Sequence, residues 1–394
     1  MVKKRGEADN FFSRHRFWLA VSTLIGTIVG AGILGIPYVV AKAGFLVGLA
    51  LMVVIGAAFI FLNLFAGEVV LRTKEQHQLT GYAGKYLGKW GKRTMTFTMI
   101  FAIYGALTAY LIGEGETLRA IFQMGEPLYY SLLFFILGVA IIWRGIRTMS
   151  KAEFMLILFL FLAVILISIF SYQDIDLARL TPYDFGKFFL PYGVILFAMM
   201  GSPAIPEMQE VLGREKKLMK KAIIVGTAIP IFLYIIFAVV IMGLVGVEQF
   251  ELLAPNERIA TVALSLYAHP ALAILANILA VLSMFTSFLT LGTALLQVYA
   301  YDYGLSRLMA GVLTFALPLV MVAFNLTTFI AALGITGAIA GGLDGILITL
   351  MYWKAKYAGE RTPEYSLPRH RIIGMLLIVL FIVGILHQLW TSLW

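Results

Sequence analysis

The sequence predicts an all-α membrane protein with 11 transmembrane helices: two inverted five-helix repeats, helices one and six broken in mid-span, and one extra C-terminal helix. Three observations predict it. The 394 residues are 61% hydrophobic and 13% charged along their whole length, where a soluble domain carries about 25% charged residues. Lipid is therefore the solvent. The apolar residues gather into eleven runs, each near the ~20 residues that cross a bilayer as a helix. The first and sixth runs are each interrupted by glycine and proline.

The runs occupy 17–41, 45–71, 94–121, 127–144, 152–171, 188–213, 219–246, 268–299, 305–323, 326–353 and 370–391. The longest connections are 72–93, 172–187, 247–267 and 354–369, too short for a soluble domain. Within them PNERIATVALSLY (255–267) predicts a short surface helix. The chain thus divides into a tail (1–16), a first repeat (17–171), a second, inverted repeat (188–353) and a loop with the eleventh helix (354–394). The opening MVKKRGEADNFFSRHR is basic and then polar, and the run after it is too long for a signal sequence. The tail is expected to stay attached.

Placing the N-terminus in the cytoplasm puts 25 of the 30 Lys and Arg on the inner side. That asymmetry matches the positive-inside rule. It predicts a multi-pass plasma-membrane protein with its C-terminus outside and Trp390 and Trp394 at the interface. The net charge of +9 sits between apolar runs, so it serves the membrane and not nucleic acid. There is no Cys, and the five His show no metal-ligand spacing. A channel needs rings of polar groups along a pore, and the runs hold none. An enzyme needs a clustered base, nucleophile or metal, which the runs also lack. No cofactor is expected, and a monomer suffices.

Run one contains GTIVGAGILGIP (26–37), with Gly26, Gly30, Gly32, Gly35 and Pro37. Glycine and proline cost a helix interior about 1 and 3 kcal/mol relative to alanine. Small residues at this spacing also serve close helix packing. The second break changes the balance. Run six, FFLPYGVILFAMMGSPAIPEMQEVLG, is interrupted by Gly201, Ser202, Pro203 and Pro206. Runs one and six are five helices apart, so they cross in opposite directions. Broken helices in matching positions of two halves point to a transporter site at the bilayer midplane. Unwound backbone in a membrane survives only where it is buried in protein or lines a cavity.

GTIVGAGILGIPY resembles the first-helix motif of the amino acid/auxin permease family, within the amino acid–polyamine–organocation superfamily. The form G-T-x-x-G-A-G-x-L-x-x-P is especially similar to bacterial aromatic amino acid permeases. AYLIGEGETL (109–118) and TSFLTLGTALLQ (286–297) resemble further stretches of the same group. The resemblance covers most of the chain. It implies the leucine-transporter fold, with helices one and six unwound around a substrate amino acid.

The breaks suit an amino acid. A half-helix N-terminus offers free N–H groups and partial positive charge to a carboxylate. The N–H groups of Ala31 and Gly32 fit that role, and the bare Gly30 and Gly32 let a substrate reach the backbone. Carbonyls near Thr27 and Ile28, and from Phe197 through Ala198 and Met199 to Met200, suit the ammonium. Gly201 and Ser202 complete the second break. Phe197, Met199, Met200 and either Tyr104 or Tyr110 are candidates for the side-chain pocket.

Two coupling ions stay open. Ser283, Thr286 and Ser287 share one helix face. In sodium-coupled relatives, hydroxyls at this spacing join carbonyls of helix one, here Gly26 and Val29. A metal site for Na+ over Gly26, Val29, Thr286 and Ser287 follows from the resemblance. The lysine that replaces sodium in one proton-coupled branch is absent after Lys151 in run five. Against sodium, animal members have asparagine where this chain has Gly26, and the aromatic permeases are regarded as proton-coupled. The proton candidate is Asp344, about 14 Å deep in run ten at 1.5 Å per residue. Glu68 reads as structural, and Glu114 and Glu116 as gating or water-facing. The expected function is import of a neutral amino acid, aromatic ones included, by sodium or proton symport through alternating access. A non-transporting sensor of the same fold is the alternative class.

Overall fold

The computed structural model describes residues 15–145, 150–180, 185–267 and 269–393. The tail through Arg14, Arg147 and Trp394, used above for orientation and anchoring, lie outside the described residues. Every predicted run is helical. Run one is α1 (Arg16–Ile28) and α2 (Gly32–Ala43), run two α3 (Phe45–Arg72), and run three the later part of α4 (Leu79–Phe122). Runs four and five are α5 (Pro127–Arg144) and α6 (Ser150–Phe170). Run six is α7 (Leu190–Ala198) and α8 (Ile205–Leu212), and run seven α9 (Met219–Val245). The connection that follows holds α10 (Val247–Leu252) and α11 (Ala260–Tyr267). Runs eight and nine are α12 (Pro270–Gln297) and α13 (Arg307–Ala323). Run ten is α14 (Phe329–Thr336) and α15 (Gly342–Ala358), joined through a π-helical turn, and run eleven is α16 (Arg371–Leu393).

Seven of these stretches are each long and apolar enough to cross a bilayer, and the α1–α2 pair, bent by 57°, makes an eighth. Run six fails that test because its break leaves two short helices, and α13 because it has 17 residues. The connection 72–93 is not a loop. Its second half is helix, turned at Gly88 by a φ of +73° that a side chain rarely adopts. The short helix predicted over 255–267 forms as α11, but its Ala260–Leu264 stretch is buried.

The two broken runs lie antiparallel, with α1 packed on α8 and α2 on α7. That is the pairing an inverted repeat requires. α9 packs along α1, α2 and α3, while α4 packs against α5 and α12–α15. Bare backbone makes some of these contacts close. A Cβ on Gly337 in the π turn would strike the Gly193 carbonyl of α7 and lie 2.5 Å from the Phe197 nitrogen. Small residues let backbones approach in this way.

The two ends differ. At the basic end, the Glu68 carboxylate is fully buried and takes Arg72 Nε at 2.8 Å, Lys356 Nζ at 2.5 Å and the Leu367 N–H at 2.8 Å. It therefore ties α3 and α15 to the loop before α16, as its structural reading expected. At the opposite end, the α10–α11 connection bridges its neighbours. Lys42 meets Glu251 at 2.9 Å, Arg258 donates to the Tyr38 hydroxyl at 3.0 Å, and Arg119 meets Glu257 at 2.8 Å. The Lys42 ammonium holds the Glu251 carboxyl below its usual range.

Removing one partner from a buried ion pair strands the other charge, at about 3–5 kcal/mol. Glu68→Ala strands Lys356, whose side chain is only 7% exposed. The variant is expected to lose stability on that scale in thermal or denaturant unfolding of the purified protein. A melting curve like that of the wild type contradicts the role given to Glu68.

Candidate substrate site

At the first break α1 stops at Ile28 and Val29 turns to extended backbone. Among the described residues the N–H groups of Gly30, Ala31 and Gly32 donate to no backbone carbonyl. The carbonyls of Gly26, Thr27 and Val29 likewise receive no backbone bond. At the second break α7 stops at Ala198, and a short turn over Ser202–Ala204 leads into α8. The Met199 and Met200 carbonyls there receive no backbone bond either.

One side chain joins the breaks. The Tyr234 hydroxyl of α9 reaches the Ile28 carbonyl at 2.8 Å and the Ala198 carbonyl at 3.0 Å. These are the last residues of α1 and α7. A second network holds the α8 side: Ser202 Oγ donates to Asn63 Oδ1 at 2.8 Å, and Asn63 Nδ2 donates to Thr227 Oγ1 at 3.2 Å. All four residues are buried.

The predicted residues divide into those that converge and those that do not. Gly30 is the point of convergence. Its missing Cβ would lie 3.9 Å from the Tyr110 hydroxyl of α4 and 4.0 Å from Ser287 Oγ of α12. That is ordinary contact distance, so a methyl would fit there and three helices meet at the break. Gly32 differs from its expected role. A Cβ there would lie 2.6 Å from Ala198 Cα and 2.7 Å from Ala198 Cβ. Its bareness admits α7, not a ligand. Gly201 serves the same end, since a Cβ on it would strike the Ile28 side chain.

Other expectations need correction. The Ile28 and Ala198 carbonyls are engaged by Tyr234, and the Phe197 carbonyl by the Met200 N–H at 3.2 Å. The Thr27, Met199 and Met200 carbonyls receive no backbone bond among the described residues. The Ser202 hydroxyl is engaged by Asn63 and positions the break. The Thr27 hydroxyl bonds back to the Thr23 carbonyl at 3.0 Å on an exposed face. Tyr104 is turned to Tyr299 and the Leu313 carbonyl, each at 2.8 Å, so Tyr110 is the tyrosine at the break. Phe197 and Met200 face the π turn of run ten, Phe197 at Gly337 and Met200 at Gly341.

Thr286 Oγ1 donates to the Leu282 and Ser283 carbonyls at 3.2 and 3.1 Å, which leaves its lone pairs as acceptors. Asp344 is buried and accepts a bond from the Thr98 hydroxyl. Glu114 does not face water. It is fully buried, and neither carboxylate oxygen has a hydrogen-bond partner among the described residues. Glu116 is 7% exposed. Sequence reasoning missed Tyr234, Asn63 and Thr227. Asn63 carried a signal, being a polar residue in mid-run. Tyr234 carried none.

The profile of the tryptophan/tyrosine permease family matches residues 13–390. The chain belongs to the tryptophan/tyrosine permease family. It is a multi-pass membrane permease and not an enzyme. It is 26% identical over 383 residues to the tyrosine-specific transport system 1 of Haemophilus influenzae, covering 93% of this chain and 94% of that one. It is 24% identical over 328 residues to glutamine transporter 2 of Aliivibrio fischeri, covering 80% and 83%. Among solved structures, MhsT in complex with L-phenylalanine superposes with a TM-score of 0.67 at 17% identity, over 96% of this chain and 98% of that one. That likeness shows the leucine-transporter fold. The resemblance to an amino acid permease family holds at this level.

The two glycines give opposite predictions. Gly30→Ala should leave the melting temperature of the permease unchanged and remove the rise that its best amino acid produces. Gly32→Ala should overpack against Ala198 and lower stability by about 1–3 kcal/mol. A destabilised Gly30→Ala beside an undisturbed Gly32→Ala contradicts this assignment.

Proposed function

We propose that this permease imports a neutral amino acid, aromatic ones foremost, by sodium symport through alternating access. The observation that carries the reading is the first break. Free N–H groups of Gly30, Ala31 and Gly32 open beside Tyr110 and Ser287, where a carboxylate would bind. An ammonium would bind the open carbonyls of Thr27, Met199 and Met200. No charged side chain lies in either break, which favours a substrate with no net charge. The tyrosine, tryptophan and glutamine named among the relatives are neutral in that sense.

Sodium takes hard oxygen ligands. The Gly26 and Val29 carbonyls have no backbone donor, and Ser287 faces the same break with Thr286 beside it and Ser283 one turn away. Such an ion would fix the unwound backbone in its binding form. The second reading is proton coupling at Asp344, favoured by its burial and its bond from Thr98. The Lys and Arg distribution supports a cytoplasmic N-terminus in the plasma membrane.

For alternating access, α1, α2, α7 and α8 would move with α3 and α9 against the rest. At the basic end Arg16 Nη1 donates to the Leu212 carbonyl at 3.4 Å, closing α1 on α8. That contact would part when the inner route opens.

Amino acids should raise the melting temperature of the purified permease by mass action. Replacing sodium by choline at constant ionic strength should weaken binding of the best one by at least about fivefold. Indifference to sodium, with transport that depends on pH and fails in Asp344→Asn, shifts coupling to protons. Counterflow in proteoliposomes separates a carrier from a sensor.

Glu207 and Glu210 are exposed on α8. In a chain without native Cys, Glu207→Cys and Glu210→Cys should change labelling rate when amino acid is added. Rates that never respond at either position argue for a static protein.

A further inference from the structure

The geometry points to Glu114 as a proton-binding site, loaded when substrate closes the permease, and separate from both the sodium site and Asp344. The inference rests on the transport reading above. Glu114 is fully buried in α4, and both its oxygens lack partners among the described residues. Its surroundings are tight. Next to it, a Cβ on Gly113 would lie 2.7 Å from Met284 Sδ of α12 and 2.9 Å from the Phe329 ring of α14. On the other side, a Cβ on Gly115 would strike the Ser131 hydroxyl of α5.

No charge nearby balances a carboxylate here. α11, α12 and α14 carry no Asp, Glu, Lys, Arg or His, and the charged residues of α5 and α13 are Arg144 and Arg307 at their basic ends. α15 brings Asp344, Lys354 and Lys356, also toward that end; Asp344 bonds to Thr98, sixteen residues or about 24 Å of helix before Glu114. Glu116, two residues on, is itself buried at 7% exposure, while Arg119, Glu126, Glu257 and Arg258 stand at the opposite surface, where Arg119 and Glu257 pair with each other. A charged, unpaired carboxylate in such a place is costly, and a bound proton removes the cost.

Position links this group to the substrate. Tyr110, whose hydroxyl borders Gly30, is one helical turn before Glu114 on the same face of α4. Thr117 follows three residues on, and its buried hydroxyl also lacks a partner. Tyr110, Glu114 and Thr117 thus form a polar stripe from the break toward the surface that holds the Arg119–Glu257 pair. The balance is simple: the carboxylate takes one proton from water at that surface as α4 packs, and returns it when the helices part. Proton and substrate then raise each other's affinity by one factor. The neutral form fits the closed state, so substrate affinity is highest at low pH and falls as pH rises.

The test is substrate affinity against pH at saturating sodium, on full-length wild type, Glu114→Gln and Asp344→Asn. Wild type and Asp344→Asn should lose affinity as pH rises, by at most about tenfold per unit for one proton. Glu114→Gln should hold the low-pH affinity throughout. Wild-type affinity that does not change with pH overturns the proposal, whatever the variants do. So does a Glu114→Gln that keeps the wild-type slope, or an Asp344→Asn that alone loses it. If Glu114→Gln does not fold, uptake of about one proton per wild-type molecule on adding substrate in weak buffer, retained in Asp344→Asn, supports the site. No proton uptake sinks it. A protein that binds no amino acid at all fails the transport reading first, and this one with it.

Discussion

An unwound helix leaves carbonyls without donors, and inside a membrane water does not replace them. This permease breaks two helices at once and brings their stranded ends to one hydroxyl. The Tyr234 phenol lies between the Ile28 and Ala198 carbonyls, 2.8 and 3.0 Å away. It is 1% exposed. The contact is made from α9, which also packs α1, α2 and α3. Two half-helices of opposite direction are thereby held end to end beside Gly30. The Ser202–Asn63–Thr227 chain does the same for the start of α8.

Around that frame the glycines separate into two kinds. Gly32, Gly201, Gly193 and Gly337 are bare because another helix lies where a side chain would be. Gly30 is bare with nothing closer than Tyr110 and Ser287. Close packing of the first kind makes the second useful, since the broken ends cannot drift into the space beside Gly30. The candidate site is thus framed by tight contacts elsewhere.

Most of the fold was legible in the sequence, because hydropathy and the five-helix spacing of the two breaks need only local patterns. Gly30, Tyr110 and Ser287 were legible for the same reason: glycine breaks a helix wherever it is, and the motif stretches carried the rest. The role of Tyr234 was not. It depends on which carbonyls are orphaned 206 and 36 residues away in sequence, and an aromatic residue in an apolar helix gives no periodic signal. Gly32 was misread because a glycine for a ligand and a glycine for a neighbouring helix look alike along the chain. Glu114 was misread because distance along α4 from its end says nothing of what packs around it. The sequence also offered both Tyr104 and Tyr110, and it is the Tyr299 and Leu313 partners of Tyr104 and the nearness of Tyr110 to Gly30 that separate them.

The central claim is that one hydroxyl holds both breaks in binding geometry. Tyr234→Phe removes that hydroxyl and little else; its one proton is shared by the two buried carbonyls, so the loss is about 1–3 kcal/mol in all. The direct measurement is amino acid affinity of this variant, beside its unliganded melting temperature, at saturating sodium. The account predicts a loss of affinity of about tenfold or more with the variant still folded. Wild-type affinity in a stable Tyr234→Phe would contradict it.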